Sequence, residues 1–204
     1  MADNISCALI LLAAGASVRM GRPKQLLLVD GQSLLRRIAE RALASPVNPV
    51  VVVLGANAAE IAPSLAGLPV RTVVNPEWAE GLGSSLRIGV ELLASFAPET
   101  AGVIVTLADH PDFSVACVQK LIDAQRVTRC SIVASEHEGV RGPPVLFAAK
   151  HFPALRALRG DTGARGLLQA HASDVASVPL GPACDLDTPA DYAAYLRRSS
   201  PRKN

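Results

Sequence analysis

Residues 11–24 read Leu11-Leu12-Ala13-Ala14-Gly15-Ala16-Ser17-Val18-Arg19-Met20-Gly21-Arg22-Pro23-Lys24. The apolar run Cys7 to Leu12 leads into this stretch and has the character of a parallel strand buried on both faces. The side chains then shrink, the chain turns, and three cations, Arg19, Arg22 and Lys24, follow within six positions. Small residues let backbone N–H groups approach a ligand closely, and clustered cations suit phosphate. The coincidence of the two features favours a nucleotide site over a plain glycine turn with solvated charges. Two familiar phosphate loops are excluded by spacing. The P-loop needs Gly-x4-Gly-Lys-Ser/Thr, whereas five residues separate Gly15 from Gly21 and Arg22 follows. The dinucleotide fingerprint needs Gly-x-Gly-x-x-Gly, whereas Ala13 and Ala14 precede the first glycine. On spacing alone the loop binds a phosphate of unspecified kind.

Outward from this loop, apolar runs at Val50–Leu54, Val70–Val74, Val103–Leu107, Ser131–Ser135 and Val175–Leu180 predict further strands. Val145–Ala148 predicts a short strand running against the others. Ser33 caps a helix marked by Leu34, Leu35, Ile38 and Ala42, and Ser114 caps another with Val115, Val118, Leu121 and Ile122 on one stripe. Helices are also expected at Ala58–Ala66, broken by Pro63, after Gly81–Ser85 on the Leu86, Val90, Leu93 face, and from Pro189 to Arg197. Strands alternating with helices predict the α/β class, a mostly parallel sheet flanked by helices on both faces. The expectation is one domain over residues 1–204. Residues 136–174 read as an irregular insertion closing over one side of the site. Residues 1–6 and 199–204 read as loose ends.

Half of the 204 residues are hydrophobic and only 3% aromatic, so the core is aliphatic. A net charge of +2 with so few aromatics argues against nucleic acid as a partner. No apolar run approaches the roughly 18 residues of a membrane span, and no basic amino-terminal region precedes a long apolar stretch. A cytoplasmic location without membrane contact is therefore expected. Cys7, Cys117, Cys130 and Cys184 form no C-x-x-C pair and read as reduced thiols.

Leu12-Ala13-Ala14-Gly15-x-Ser17-x-Arg19-Met20-Gly21-x-x-Lys24 resembles the signature loop of the molybdenum cofactor nucleotidyltransferases, a branch of the Rossmann-like nucleoside triphosphate transferases. The resemblance continues at Gly81-Leu82-Gly83-Ser84-Ser85, Leu107-Ala108-Asp109-His110-Pro111, Arg141-Gly142-Pro143-Pro144, Gly160-Asp161-Thr162-Gly163-Ala164-Arg165 and Asp185-Leu186-Asp187-Thr188-Pro189. It is nearest to the cytidylyltransferase branch. It implies a three-layer Rossmann-like fold, and CTP and the molybdopterin cofactor as partners, with a recipient molybdoenzyme as a further one. It implies transfer of CMP with pyrophosphate leaving, and Mg²⁺ as cofactor with Mn²⁺ as an alternative. Related transferases that use GTP or another phosphorylated acceptor stay open, as does a carrier that holds the finished cofactor without catalysis.

The chemistry-bearing residues follow from position and resemblance together. Asp109 ends an apolar strand, and Asp185 and Asp187 follow another, where parallel sheets bind ligands. The plainer alternative is that Asp109 caps its turn and that Asp185 or Asp187 caps the last helix. The resemblance assigns Asp109 and Asp187 to the metal. It also assigns nucleotide contacts to Leu12, Ala13, Ala14, Gly15, Arg19, Lys24, Asn75, Gly81, Ser84 and Ser85. Arg19, Lys24 and Asp109 would carry catalysis, and Arg141, Gly142 and Arg165 would meet the acceptor. By spacing alone Ser84 is a helix cap. His110 departs from the family pattern and reads as facing solvent. His137, His151 and His171 receive no role, and Trp78 is either a lid anchor or a surface contact.

Overall fold

The computed structural model describes residues 6–161, 163–181 and 184–199; Thr162, Pro182, Ala183 and both ends lie outside it. In chain order the elements are β1 (Cys7–Ala13), β2 (Leu28–Val29), β3 (Gln32–Ser33), α1 (Leu34–Leu43), β4 (Val50–Leu54), α2 (Ala58–Ile61), β5 (Arg71–Val74) and α3 (Leu82–Phe96). They continue with β6 (Gly102–Leu107), α4 (Val115–Thr128), β7 (Ile132–His137), β8 (Val140–Ala148), α5 (Phe152–Arg156), α6 (Arg165–Ala170), β9 (Val175–Pro179) and α7 (Pro189–Ser199).

Every residue of β1 is buried, which is why its sequence shows no alternation. Its two faces feed two cores. Leu9 and Leu11 pack with Leu35 and Ile38 of α1, Val118 and Leu121 of α4 and Tyr195 of α7. Ala8, Ile10 and Leu12 pack with Leu86, Val90 and Leu93 of α3, Leu155 of α5 and Leu168 of α6. The main sheet has the order β5-β4-β1-β6-β8-β7-β9. β5, β4, β1 and β6 are parallel neighbours, and β9 is parallel to β7. The chain leaves β1 toward β4 and β5, then crosses back to place β6 on the other side of β1. The carboxyl ends of β1 and β6 therefore form the switch point at which open α/β sheets bind ligands.

The caps behave as their chemistry requires. The Ser33 hydroxyl accepts from Arg36 N–H at 3.4 Å, and Ser114 accepts from Cys117 N–H at 3.3 Å. Pro63 converts the end of the expected Ala58–Ala66 helix into a 3-10 turn over Ala62–Leu65. The last helix is capped by Thr188, whose Oγ1 accepts from Asp191 N–H at 3.3 Å while its own N–H donates back to Asp191 Oδ2 at 2.8 Å, so neither Asp185 nor Asp187 serves as its cap.

The irregular insertion expected at 136–174 needs correction. Its first part is ordered sheet: β8 spans nine residues and runs antiparallel between β6 and β7. Prolines cannot donate to a ladder, and the β7–β8 register breaks where Ala134 pairs with Val145 but Ser135 pairs with Gly142. Pro143 and Pro144 bulge out at that break, held by Ser135 Oγ donating to Pro144 O at 2.7 Å. Ser199 belongs to the closing helix, not to a loose tail, while residues 200–204 and 1–5 lie outside the described residues.

α3 lies close on the sheet because Gly89 has no side chain. A Cβ there would sit 3.0 Å from Ile10 Cγ2 and 3.0 Å from Val53 Cγ2. Gly89→Val should therefore lift the helix and destabilise the fold by about 1–3 kcal/mol. Urea unfolding measures this, and an unchanged midpoint would show that the close approach has no energetic consequence.

Candidate active site

The signature loop begins where β1 ends. Ser17 takes a left-handed backbone with φ 57°, a 3-10 turn covers Val18–Met20, and a second covers Lys24–Leu26. Two side chains tie the loop together. Gln25 Nε2 donates to Ala13 O at 2.8 Å and to Gly15 O at 3.0 Å, and Lys24 N–H donates to Ser17 Oγ at 3.1 Å. Beside the loop lies a cavity of about 510 Å³. Leu12, Ala13, Ala14, Gly15, Lys24, Gly81, Ser85 and Asp109 all line it, and Trp78 flanks it.

Lys24 reaches two carboxylates from distant parts of the chain. Its Nζ donates to Asp109 Oδ2 and, at 3.2 Å, to Asp187 Oδ1. Arg19 donates to Asp187 Oδ2 at 2.7 Å from a largely exposed position at the rim. Burial works to lower the Lys24 pKa, but the Asp109 carboxylate and then Asp187 outweigh it, so the ammonium is held above the ordinary lysine value. Asp187 is placed by its neighbour. Leu186 is fully buried and donates its N–H to Asp109 O at 3.2 Å, which sets the 185–187 segment alongside Asp109.

The two aspartates thus converge, with an ammonium between them. Asp109 Oδ1 is buried and makes no hydrogen bond. An unpaired buried carboxylate oxygen is costly and calls for a partner. Among the described residues no three His, Cys, Asp or Glu side chains form a set able to hold a metal by themselves. A divalent cation would take Asp109 and Asp187 as ligands and complete its shell from phosphate and water, as Mg²⁺ commonly does.

Asn75 and Ser84 converge without reaching the cavity lining. Asn75 is buried and its Nδ2 donates to Ser84 Oγ at 2.8 Å and Ser85 Oγ at 3.0 Å. Ser84 donates to Glu77 O and Gly81 O at 3.0 and 2.9 Å. It stands inside the first turn of α3, whose cap position is Gly81, so it is not the cap. These bonds brace the Trp78–Glu80 turn at the cavity's edge. Arg87 adds to this by pairing with Glu77 at 2.6 Å and Glu80 at 3.1 Å.

A second cavity of about 370 Å³ adjoins the first, with Leu12, Leu82, Leu107 and Asp161 in both walls. Arg141, Gly142 and Arg165 line it, over an apolar floor that includes Val145 and Phe147. The Pro143-Pro144 bulge turns Arg141 and Gly142 toward this space, and α6 supplies Arg165 as its first residue. Arg141 is steadied by Ser177 Oγ at 2.8 Å.

Residues 9–175 match the family described as the MobA-like NTP transferase domain. The chain belongs to that family. It is a nucleotidyltransferase. A nicotine blue oxidoreductase of Paenarthrobacter nicotinovorans is 38% identical over 167 residues, covering 78% of this chain and 80% of that protein. The purine catabolism protein PucB of Bacillus subtilis is 29% identical over 204 residues, covering 94% and 96%. The manganese complex of Rv0371C from Mycobacterium tuberculosis superposes with a TM-score of 0.79 at 25% identity, covering 96% of this chain and all of that one. A shorter match is the molybdenum cofactor guanylyltransferase of Rhizobium meliloti, 28% identical over 98 residues and covering 48% of this chain and 35% of that protein.

Two residues of this cavity wall receive no role from the sequence. Gln25 is one, an ordinary polar residue whose two alternate carbonyl partners exist only once the loop is folded. Asp161 is another, placed by the close approach of the 159–161 segment to α3. Gly83 donates its N–H to Gly160 O at 2.9 Å, and Cβ atoms at Gly81 and Gly83 would meet Asp161 Cα at 2.7 Å and Gly160 O at 2.8 Å. The paired glycines of Gly81-Leu82-Gly83 are required by that approach. His110 corrects the expectation of a solvent-facing side chain. Its exposure is 15%, its Nε2 lies 3.2 Å from Asp185 Oδ1 and 3.8 Å from Asp109 Oδ1, and it lines the second cavity.

The His110 hydrogen bond holds the Asp185 carboxyl below its ordinary range. A depressed carboxylate contributes stability above its unfolded pKa and loses it as the pH falls through the folded one. His110→Asn should therefore return the Asp185 titration toward 3.8, read by carbon NMR of the carboxyl. An unmoved titration would dissociate the pair.

Proposed function

We propose that this chain transfers CMP from CTP to the terminal phosphate of the molybdopterin cofactor, releasing pyrophosphate. The observation that carries the reading is the adjacency of two cavities. One combines the signature loop with Lys24 and Asp109, and the other is an apolar space edged by Arg141 and Arg165. A triphosphate suits the first, and a flat-ringed, phosphate-bearing acceptor suits the second, its ring on the apolar floor and its polar edge toward the charged rim.

The acceptor phosphate is a monoester with a second pKa of about 6, so it is largely dianionic at neutral pH and attacks without a general base. The remaining task is alignment and charge neutralisation. Asp109 and Asp187 would hold Mg²⁺ or Mn²⁺, which would supply part of that neutralisation. Lys24 leaves the two carboxylates and moves to the triphosphate, where it stabilises charge on the departing pyrophosphate. Arg19, at the exposed rim, meets the outer phosphates. Arg141 and Arg165 hold the acceptor. Lys24→Ala should lower turnover by more than tenfold, or about 1.4 kcal/mol or more of transition-state stabilisation. Asp109→Asn and Asp187→Asn should lose activity at limiting Mg²⁺, and Asp185→Asn should lose less. Wild-type rates in the folded Asp109 variant would remove that carboxylate from the metal site.

Cytosine is favoured by Ala14. The resemblance to the family implies glycine at this place in guanylyl-transferring loops. Ala14 lines the larger cavity, so its methyl narrows the space beside the base. A pyrimidine needs less room than a purine, although one methyl-sized difference is worth only roughly 1–3 kcal/mol. Pyrophosphate release with molybdopterin and equal CTP and GTP tests both parts of the proposal. A mainly cytosine-containing product is expected. A guanine product would overturn the nucleotide choice alone. Nucleotide bound without pyrophosphate release would indicate a carrier.

A further inference from the structure

Between Ala13 and Lys24 the backbone has no regular ladder, yet its polar groups are sorted. The carbonyl of Leu12 accepts from Ala108 N–H at 3.0 Å and that of Ala14 from Ala56 N–H at 3.0 Å. The carbonyls of Ala13 and Gly15 accept the two amide hydrogens of Gln25 at 2.8 and 3.0 Å. Four consecutive carbonyls are thus turned into the protein. Among the described residues, no hydrogen bond within the chain takes up the N–H groups of Ala14, Gly15 and Ala16. All three residues line the larger cavity.

We propose that Gln25 is the positioning residue that makes this loop an anion receptor, by holding alternate carbonyls inward so that only N–H groups meet a polyphosphate. The proposal rests on the nucleotide reading of the loop and names the residue on which its polarity depends. Gln25 is 1% exposed, so it acts through the backbone and not by touching ligand with a free donor. A primary amide suits the task. It brings two hydrogens to two carbonyls with no charge, while its oxygen accepts from Ser17 Oγ at 3.3 Å. Ser17 in turn accepts the Lys24 N–H, which closes a ring from residue 13 to residue 25 and fixes the stem of the catalytic lysine. A carboxylate at this position would face two carbonyl oxygens with no hydrogen to offer. A thioether would fill the same space and bind neither. In both cases a carbonyl is free to rotate toward the cavity, where it repels an anion.

Calorimetric titration with tripolyphosphate and with CTP tests this on the full chain, using wild type, Gln25→Glu, Gln25→Met and Ser17→Ala. Both Gln25 variants should bind tripolyphosphate at least about tenfold more weakly than wild type, with KM for CTP rising more than kcat falls and KM for the acceptor unchanged. Gln25→Glu alone should recover part of the loss, relative to wild type at the same pH, as acid protonates the new carboxyl and restores one donor. Wild-type tripolyphosphate affinity in either folded Gln25 variant overturns the proposal. So does an equal loss toward CTP and acceptor with no recovery in acid. If neither Gln25 variant folds, Ser17→Ala decides: weakened tripolyphosphate binding supports the ring, and unchanged binding overturns it. A wild-type protein that binds tripolyphosphate but transfers no nucleotide would sink the nucleotidyl-transfer reading and leave the role of Gln25 standing.

Discussion

The structure depends on one constraint, the burial of β1 on both faces. A strand with α1 and α4 against one side and α3 against the other has no solvent-facing edge along its length. Its hydrogen bonds are taken up by β4 and β6. The chain can open to a ligand only where β1 stops, and at that point the flanking strands diverge in sequence order. The site therefore lies at the end of the most deeply buried strand, and its walls inherit the rigidity of the two cores. Gly89 belongs to the same constraint, because α3 can bring Ser85 to the cavity wall only by lying close to Ile10 and Val53.

Charge organises the mouth of the site. Lys24, Asp109 and Asp187 lie 85 and 163 residues apart in sequence from the lysine, and no local rule brings them together. The buried Leu186 and its hydrogen bond to Asp109 O do so, at the cost of crowding two carboxylates. An ammonium resolves the repulsion in the free protein, and its raised pKa reflects that pairing. The same ammonium is the natural counter-ion of a triphosphate. A cation that can exchange one anionic partner for another suits phosphoryl chemistry, where charge moves during the reaction.

The second half of the chain adds a different kind of surface to the parallel geometry of the sheet. β8 enters between β6 and β7 against the parallel direction and breaks register at two prolines. The break presents Arg141 and Gly142 to a cavity whose floor is aliphatic. Nearby, the 159–161 segment presses onto the glycines that start α3 and sets Asp161 in the wall shared by both cavities. One cavity on parallel strand ends thus lies beside another whose wall is built from an antiparallel strand.

The strands of the main sheet, the Ser33 and Ser114 caps and the turn after β1 were legible in the sequence, because each depends on neighbours within a few residues. Apolar runs mark strands buried on both faces, Ser33 and Ser114 mark helix starts, and small residues mark the turn that ends β1. Lys24, Asp109 and Asp187 could be singled out from position and resemblance, and the two aspartates were expected at one sheet edge, but not the contact of both with Lys24. β8 was shortened in the sequence reading because prolines disguise a strand that tolerates them only at a bulge. The histidine at 110 read as solvent-facing because nothing local announces Asp185 as its partner. Gln25 carried no signal at all, since its function consists of bonds to carbonyls that come together only after the loop has turned. Local sequence determined which segments are strand, helix and loop; the convergence of side chains on those loops was decided by the tertiary fold, because contacts between residues far apart in the chain are set by how the two cores pack.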